Sequence, residues 1–232
     1  MIISASRRTD LPAFFSTWFM NRVRAGWCAV PNPFNSRQVS KISLARPDVD
    51  CFVFWTRYCK PLLGYLDALD DQGYPSLFQY TLVDYPRDLD RNCPPLHKRL
   101  EAFLELAARI GPKRIIWRYD PLVVSHNQSL EWHSKRFAWL TSELGGGSVR
   151  CVISFMEFYG KTKRRIAPLK GTGMQASDPP TADKVALAQE LAVIAAKHGM
   201  ALSACCQPWQ EKRPVVPASA CIDGPLLEQL FS

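Results

Sequence analysis

Six short apolar runs, each handing over to a segment with helical spacing, set the tightest limit on what this 232-residue chain can become. The runs fall near residues 2–6, 50–55, 76–82, 113–119, 149–155 and 200–205. Alternation of such strands with helices predicts a parallel sheet with crossover helices. The first helix is expected over 12–25, where Pro12 sits in the opening turn without losing a bond and Gly26 ends it. Further helices are expected over 61–71, after Pro95, over 129–144 and 182–198, and near 225–231. In the one after Pro95, the residues Leu96, Leu100, Phe103, Leu104, Ala107 and Ile110 line one face. Gly145-Gly146-Gly147 stops the helix of 129–144, while Thr181 caps that of 182–198 and Gly199 ends it.

Residues 27–46 interrupt the pattern. Two strand-like stretches flank the turn-rich Pro31-Asn32-Pro33-Phe34-Asn35, which reads as an inserted hairpin. Six βα units are too few for a closed eight-unit barrel. The expected fold is therefore α/β, a TIM-like partial (β/α)6 barrel in a single domain over residues 1–232, with an inserted hairpin near residues 27–46. An open doubly wound sheet is the alternative, but no GxGxxG follows the first strand.

The strand ends carry the chemistry. Residues 2–6 run into Arg7, Arg8 and Asp10, and Cys51-Phe52-Val53-Phe54 into Trp55-Thr56-Arg57. Ile115-Ile116 runs into Trp117-Arg118-Tyr119-Asp120, and the run ending at Phe155 into Glu157, Tyr159 and Lys161. Parallel α/β folds build ligand sites at the carboxyl ends of their strands, so these charges are expected to share a pocket. Arginine grips phosphate or carboxylate through two parallel hydrogen bonds, which makes Arg7 and Arg8 an anion clamp. The same residues also admit a structural reading, an Arg7–Asp10 or Arg8–Asp10 pair fixing the helix start. Alternation puts Arg118 and Asp120 on one face of their strand and Trp117 and Tyr119 on the other. A buried arginine needs a carboxylate, so Arg118 pairs with Asp120 or Glu157 if it does not meet a ligand. Gln79 and its neighbours offer neutral hydrogen bonds at the third strand's end.

Hydrophobic residues make up 47% of the chain and charged residues 22%, a composition typical of globular proteins. No apolar run approaches the roughly 20 residues of a membrane helix, and no signal-peptide pattern opens the sequence. The expected location is cytoplasmic, with no membrane partner. A net charge of +8 favours an anionic partner. Its local concentrations are residues 161–165 (Lys-Thr-Lys-Arg-Arg) and Lys212-Arg213, each a solvated face or a phosphate or nucleic-acid contact. The histidines 97, 126, 133 and 198 are scattered and form no metal set, and no HExxH, P-loop or Ser–His–Asp order is present. Of eight cysteines, Cys28, Cys51 and Cys151 lie in apolar runs and read as small hydrophobes, whereas Cys205, Cys206 and Cys221 gather near the C-terminal end without a CxxC pair.

The stretches SASRRTDLPAF, NPFN, VFWTRYCKPL, FQYTL, IWRYDP, CVISF with KTKR, and the terminal CID resemble the domain of unknown function 1848 family over nearly the whole chain. Members of that family usually continue into a cysteine-rich tail that looks like the three-cysteine motif of radical S-adenosylmethionine enzymes, many of which are six-unit partial barrels. The sequence here ends at Ser232 without that tail. The resemblance implies that Cys205 and Cys221 are metal ligands, and that the cofactor is an iron–sulphur cluster or another metal, incomplete within these residues. Cys206 has no clear counterpart in the family pattern.

The functional expectation is an enzyme, related to radical-SAM-type iron–sulphur enzymes, that binds an anionic or nucleotide-like small molecule at the carboxyl ends of its strands. Asp10, Asp120 and Glu157 are the catalytic candidates. Arg7, Arg8, Trp55, Arg57, Gln79, Arg118 and Lys161 are the ligand-binding candidates. The alternative is a nucleic-acid-binding protein that uses the basic segment 161–165.

Overall fold

The computed structural model describes residues 1–6, 8–207, 209 and 214–231. Contacts divide the chain into two compact units, Met1–Tyr80 with Gly224–Ser232, and Thr81–Asp223. The first unit begins with β1 (Ile2–Ala5), α1 (Leu11–Phe14) and α2 (Ser16–Ala25). It continues through β2 (Trp27–Pro31), β3 (Val39–Ser43), β4 (Cys51–Thr56), α3 (Lys60–Leu63), α4 (Leu66–Asp71) and β5 (Ser76–Thr81). The second unit contains α5 (Leu96–Ile110), β6 (Ile115–Leu122), α6 (Leu130–Glu143), β7 (Arg150–Phe155), α7 (Gly160–Ile166), α8 (Thr181–Lys197), β8 (Ala201–Cys205) and β9 (Ala218–Ser219). The chain closes with α9 (Gly224–Phe231), which belongs to the first unit.

Within the first unit the strand order is β1-β4-β5, all parallel, and β2 and β3 form a separate antiparallel hairpin. Its core is aromatic. Phe19 of α2 meets Phe52 and Phe54 edge-on at 5.0 and 5.3 Å, and Phe54 lies 5.0 Å from Phe78 of β5. Each such pair adds about 0.5–1.5 kcal/mol beyond its area burial. Within the second unit the order is β6-β7-β8-β9, again parallel. There Trp117 stacks on Phe137 of α6 at 4.8 Å and donates its indole N–H to the carbonyl of Leu82 at 2.9 Å.

The α/β class, the parallel strands and the hairpin follow the sequence pattern. A TIM-like (β/α)6 barrel does not clearly follow. Among the described residues, parallel pairing involves seven strands rather than six, three in the first unit and four in the second, because the irregular-looking stretch before the last helix contributes β9. The helix expected over 12–25 breaks at Phe15, whose backbone (φ −133°, ψ 25°) leaves the helical region. There the hydroxyl of Ser16, rather than a backbone N–H, donates to the carbonyl of Pro12 at 2.7 Å. The helix over 61–71 likewise divides into α3 and α4. Thr181 is the first helical residue of α8, behind Pro180, and caps nothing with its side chain. Among the described residues no helix is long and apolar enough to cross a membrane.

Candidate functional site

In the first unit, the ends of β1 and β4 are joined by Asp10. Its Oδ1 accepts from Ala13 N at 3.0 Å, which caps α1, and its Oδ2 accepts from Arg57 N at 2.7 Å. The Thr56 side chain adds a third bond, yet burial dominates and raises the carboxyl above its ordinary value. Asp10 is thus held by backbone N–H groups. Arg8 is exposed, and Arg7 lies outside the described residues. Trp55 and Gln79 are register partners on β4 and β5, with Gln79 buried at the strand's end. Ser6, which precedes the arginines, has a left-handed backbone (φ 128°), a conformation that non-glycine residues rarely adopt.

In the second unit, alternation works as the sequence implies. Trp117 and Tyr119 point toward α6, packing on Phe137 and His133. Arg118 and Asp120 point the other way and pair with each other, through Nε at 3.1 Å to both carboxylate oxygens and through Nη2 at 2.5 Å. Ser154 of β7 donates to the same carboxylate at 3.3 Å. Arg118 is 5% exposed, and it also hydrogen-bonds the Cys205 sulfur at the end of β8. Of the two partners considered for Arg118, Asp120 forms the ion pair. Burial opposes the guanidinium's charge, but Asp120 outweighs it and holds its pKa up.

Three cysteines meet beside this pair. The Sγ of Cys205 lies 3.6 Å from that of Cys206 and 3.5 Å from that of Cys221, and all three sulfurs fall within 4.8 Å of one another. Two local features make the cluster. Cys206 takes a left-handed backbone (φ 49°), so its side chain swings back toward Cys205 instead of pointing to the opposite face as the next residue of a strand would. Ser219 of β9 is the register partner of Cys205, which lays the chain carrying Cys221 alongside β8. Gln207 then pins the turn. Its Oε1 accepts from Phe155 N and Trp209 Nε1, both at 2.9 Å, while its Nε2 donates to the Cys206 carbonyl at 3.1 Å.

The donor set suits a thiophilic metal. Two sulfurs bound to one tetrahedral ion at about 2.3 Å stand about 3.8 Å apart, close to the spacings seen. The ligands of a four-iron cluster attach to different irons and stand farther apart, so the trio fits a single ion more directly. Burial pushes the Cys205 thiol up, its contact with Cys221 adds to this, and Arg118 opposes it. The Cys206 thiol is raised chiefly by Cys205. Three thiolates this close repel one another, and a shared cation removes the repulsion.

Beyond Gln207 opens a cavity of about 440 Å3, lined among others by Phe158, Trp209, Glu157, Thr181, Asp178 and Lys184. Lys184 Nζ bonds Asp178 at 2.6 Å and lies 5.8 Å from the centre of the Phe155 ring. Glu157 is therefore at a cavity, as a strand-end residue should be. Lys161 stands exposed on α7 and is not among the residues lining it. Gln207 and Trp209 were missed in the sequence, and Cys206 was noted beside Cys205 and Cys221 but not assigned as a ligand. For Cys206 the only available signal was its adjacency to Cys205; for the other two there was none.

A family model described as "Domain of unknown function (DUF1848)" matches residues 2–232. No curated protein and no solved structure shows a match.

Proposed function

The chain belongs to the DUF1848 family, and from the geometry of its second unit we propose that it is an enzyme with a thiolate-held metal centre beside a pocket for an anionic or nucleotide-like small molecule. The observation that carries this reading is the convergence of three sulfurs within 4.8 Å at the carboxyl end of a parallel strand. Cys205, Cys206 and Cys221 would hold the ion, and Arg118 would hold Cys205 in place while Asp120 fixes Arg118. Bound there, a metal would supply a Lewis acid or, in an iron–sulphur form, an electron carrier. In the adjoining cavity, Trp209 and Phe158 offer walls to a planar ring, and Lys184 offers a cation to a negative group. Glu157 at that cavity is the acid–base candidate. The expected partial-barrel architecture is consistent with this arrangement, since such folds gather catalytic side chains at the carboxyl ends of their strands. Arg8, Asp10, Trp55, Arg57 and Gln79 form a second strand-end group in the first unit, with Asp10 best suited to hold the backbone there.

Anaerobic purification, reconstitution with zinc or iron and sulphide, and metal analysis test the reading. The wild type should retain metal, with three of its thiols protected from alkylation, and the paired change Cys206→Ser with Cys221→Ser should abolish both effects. If wild-type protein binds no ion after reconstitution and its thiols react as freely with metal as without, the metal centre is wrong. A second reading, contact with nucleic acid through 161–165, draws on the exposure of Lys161, Lys163, Arg164 and Arg165 on α7. It predicts binding that weakens steeply with salt.

A further inference from the structure

The first unit carries a surface that the thiol centre does not use. From Leu11 to Pro47 the sequence has five basic residues and no acidic one, a local charge of +5 in a chain of net charge +8. In this stretch Phe14, Trp18, Trp27 and Phe34 are exposed by 66%, 48%, 39% and 96%. The ring of Trp27 is overlaid by Lys41 Nζ at 4.9 Å and by the Arg22 guanidinium at 5.8 Å.

Phe34 stands at the tip of the β2–β3 hairpin, and the tip is tied. Asn32 Oδ1 accepts from Phe34 N at 2.9 Å, and Asn32 Nδ2 donates to Gln38 Oε1 at 2.8 Å. Asn35 Oδ1 accepts from Arg37 N at 3.2 Å, and the backbone bond from Asn32 N to Gln38 O closes the loop at 2.8 Å. A loop fixed in this way loses little further freedom on binding, so its bare phenyl ring is presented already organised.

Charge and spacing select the partner. Asp48 reaches the base of this surface through its bond with Ser43, yet the cations outnumber it and attract a polyanion. Trp27 and Phe34 are separated by the remaining length of β2, at about 3.3 Å per residue, and by the first loop residues. Rings spaced along a basic ribbon suit bases a few nucleotides apart on one strand, with the intervening phosphates meeting the cations. A duplex keeps its base faces stacked inside and cannot offer them, whereas a single strand can. We infer that α2 and the β2–β3 hairpin form a binding surface for single-stranded nucleic acid, with bases stacking on Phe34 and Trp27 and phosphates meeting Arg22, Arg37 and Lys41.

Fluorescence anisotropy with labelled oligo-dT and oligo-U of about 15 nucleotides tests this on the full chain, and the two arms distinguish DNA from RNA. Binding should be measurable at low salt, with log K falling by about 0.7 per phosphate contact for each decade of salt. Phe34→Ala, at a side chain clear of the core, should weaken binding about fivefold or more. Arg37→Glu with Lys41→Glu should lower both affinity and salt slope, whereas Lys98→Glu, exposed on α5, should leave both unchanged. Circular dichroism checks that each variant folds. The proposal is overturned if no oligonucleotide binds at low salt, if a duplex of equal length binds as tightly, or if the hairpin variants bind like wild type. Binding confined to vesicles of anionic phospholipid would assign the surface to a membrane and overturn it equally.

Discussion

His133 shows how a polar side chain can be absorbed into a core. Its Nε2 faces the carbonyl of Val123 at 3.1 Å, so that nitrogen carries the proton, and Nδ1 then accepts from the Tyr119 hydroxyl at 3.1 Å. Burial lowers its pKa from 6.5 to about 4. The unfolded chain binds a proton at this side chain below pH 6.5, while the folded chain resists until about pH 4. Its stabilising effect is thus fully present above pH 6.5 and is lost as pH falls toward 4. Between pH 7 and 5 the loss should be about 2 kcal/mol. Urea unfolding across that range checks it. His133→Gln should unfold more easily at pH 7 and show a flatter dependence; an unchanged slope would contradict the assignment. The sequence placed this histidine on a helix outside any metal set, but its depth and both partners depend on packing from β6, which no local pattern reveals. The place of Cys206 as a ligand was hidden for a related reason: alternation assigns it to the face opposite Cys205, and only its left-handed backbone reverses that.

At the scale of elements, the alternating runs were legible because each strand is apolar over its whole length and each helix has a periodic face. Breaks within helices were less so, since the turn at Phe15 depends on a hydroxyl bond to Pro12 rather than on a glycine or proline. The element β9 was invisible, being two residues long in a proline-rich stretch, yet it is what brings Cys221 to Cys205. The glycine run after α6 was read as a helix stop, which is half of its role. A Cβ on Gly147 would meet Phe103 Cε1 at 2.8 Å and Ala107 Cβ at 3.1 Å, both on α5. Gly147→Ala should therefore destabilise by about 1–3 kcal/mol through overpacking, measured as a lower urea midpoint with an unchanged slope. A midpoint equal to wild type would show that α5 yields without cost.

For the molecule as a whole, the strand-end pattern expected one pocket, and the structure divides its residues between two units. The candidate residues fall into two groups, Arg8, Asp10, Trp55, Arg57 and Gln79 in the first unit and Arg118, Asp120, Glu157, Lys161, Cys205 and Cys221 in the second. Arg118 and Asp120 neutralise each other beside Cys205, so part of the charge that suggested a ligand pocket serves to anchor the thiols. The exposed basic and aromatic surface, in turn, is concentrated on the hairpin as well as on α7, where the sequence had drawn attention to the charge run alone. The most direct test of the account is X-ray absorption spectroscopy at the metal edge of the zinc-reconstituted protein. The account predicts three sulfur neighbours at about 2.3 Å, falling to two in Cys206→Ser. A wild-type spectrum with oxygen and nitrogen ligands and fewer than two sulfurs would contradict it.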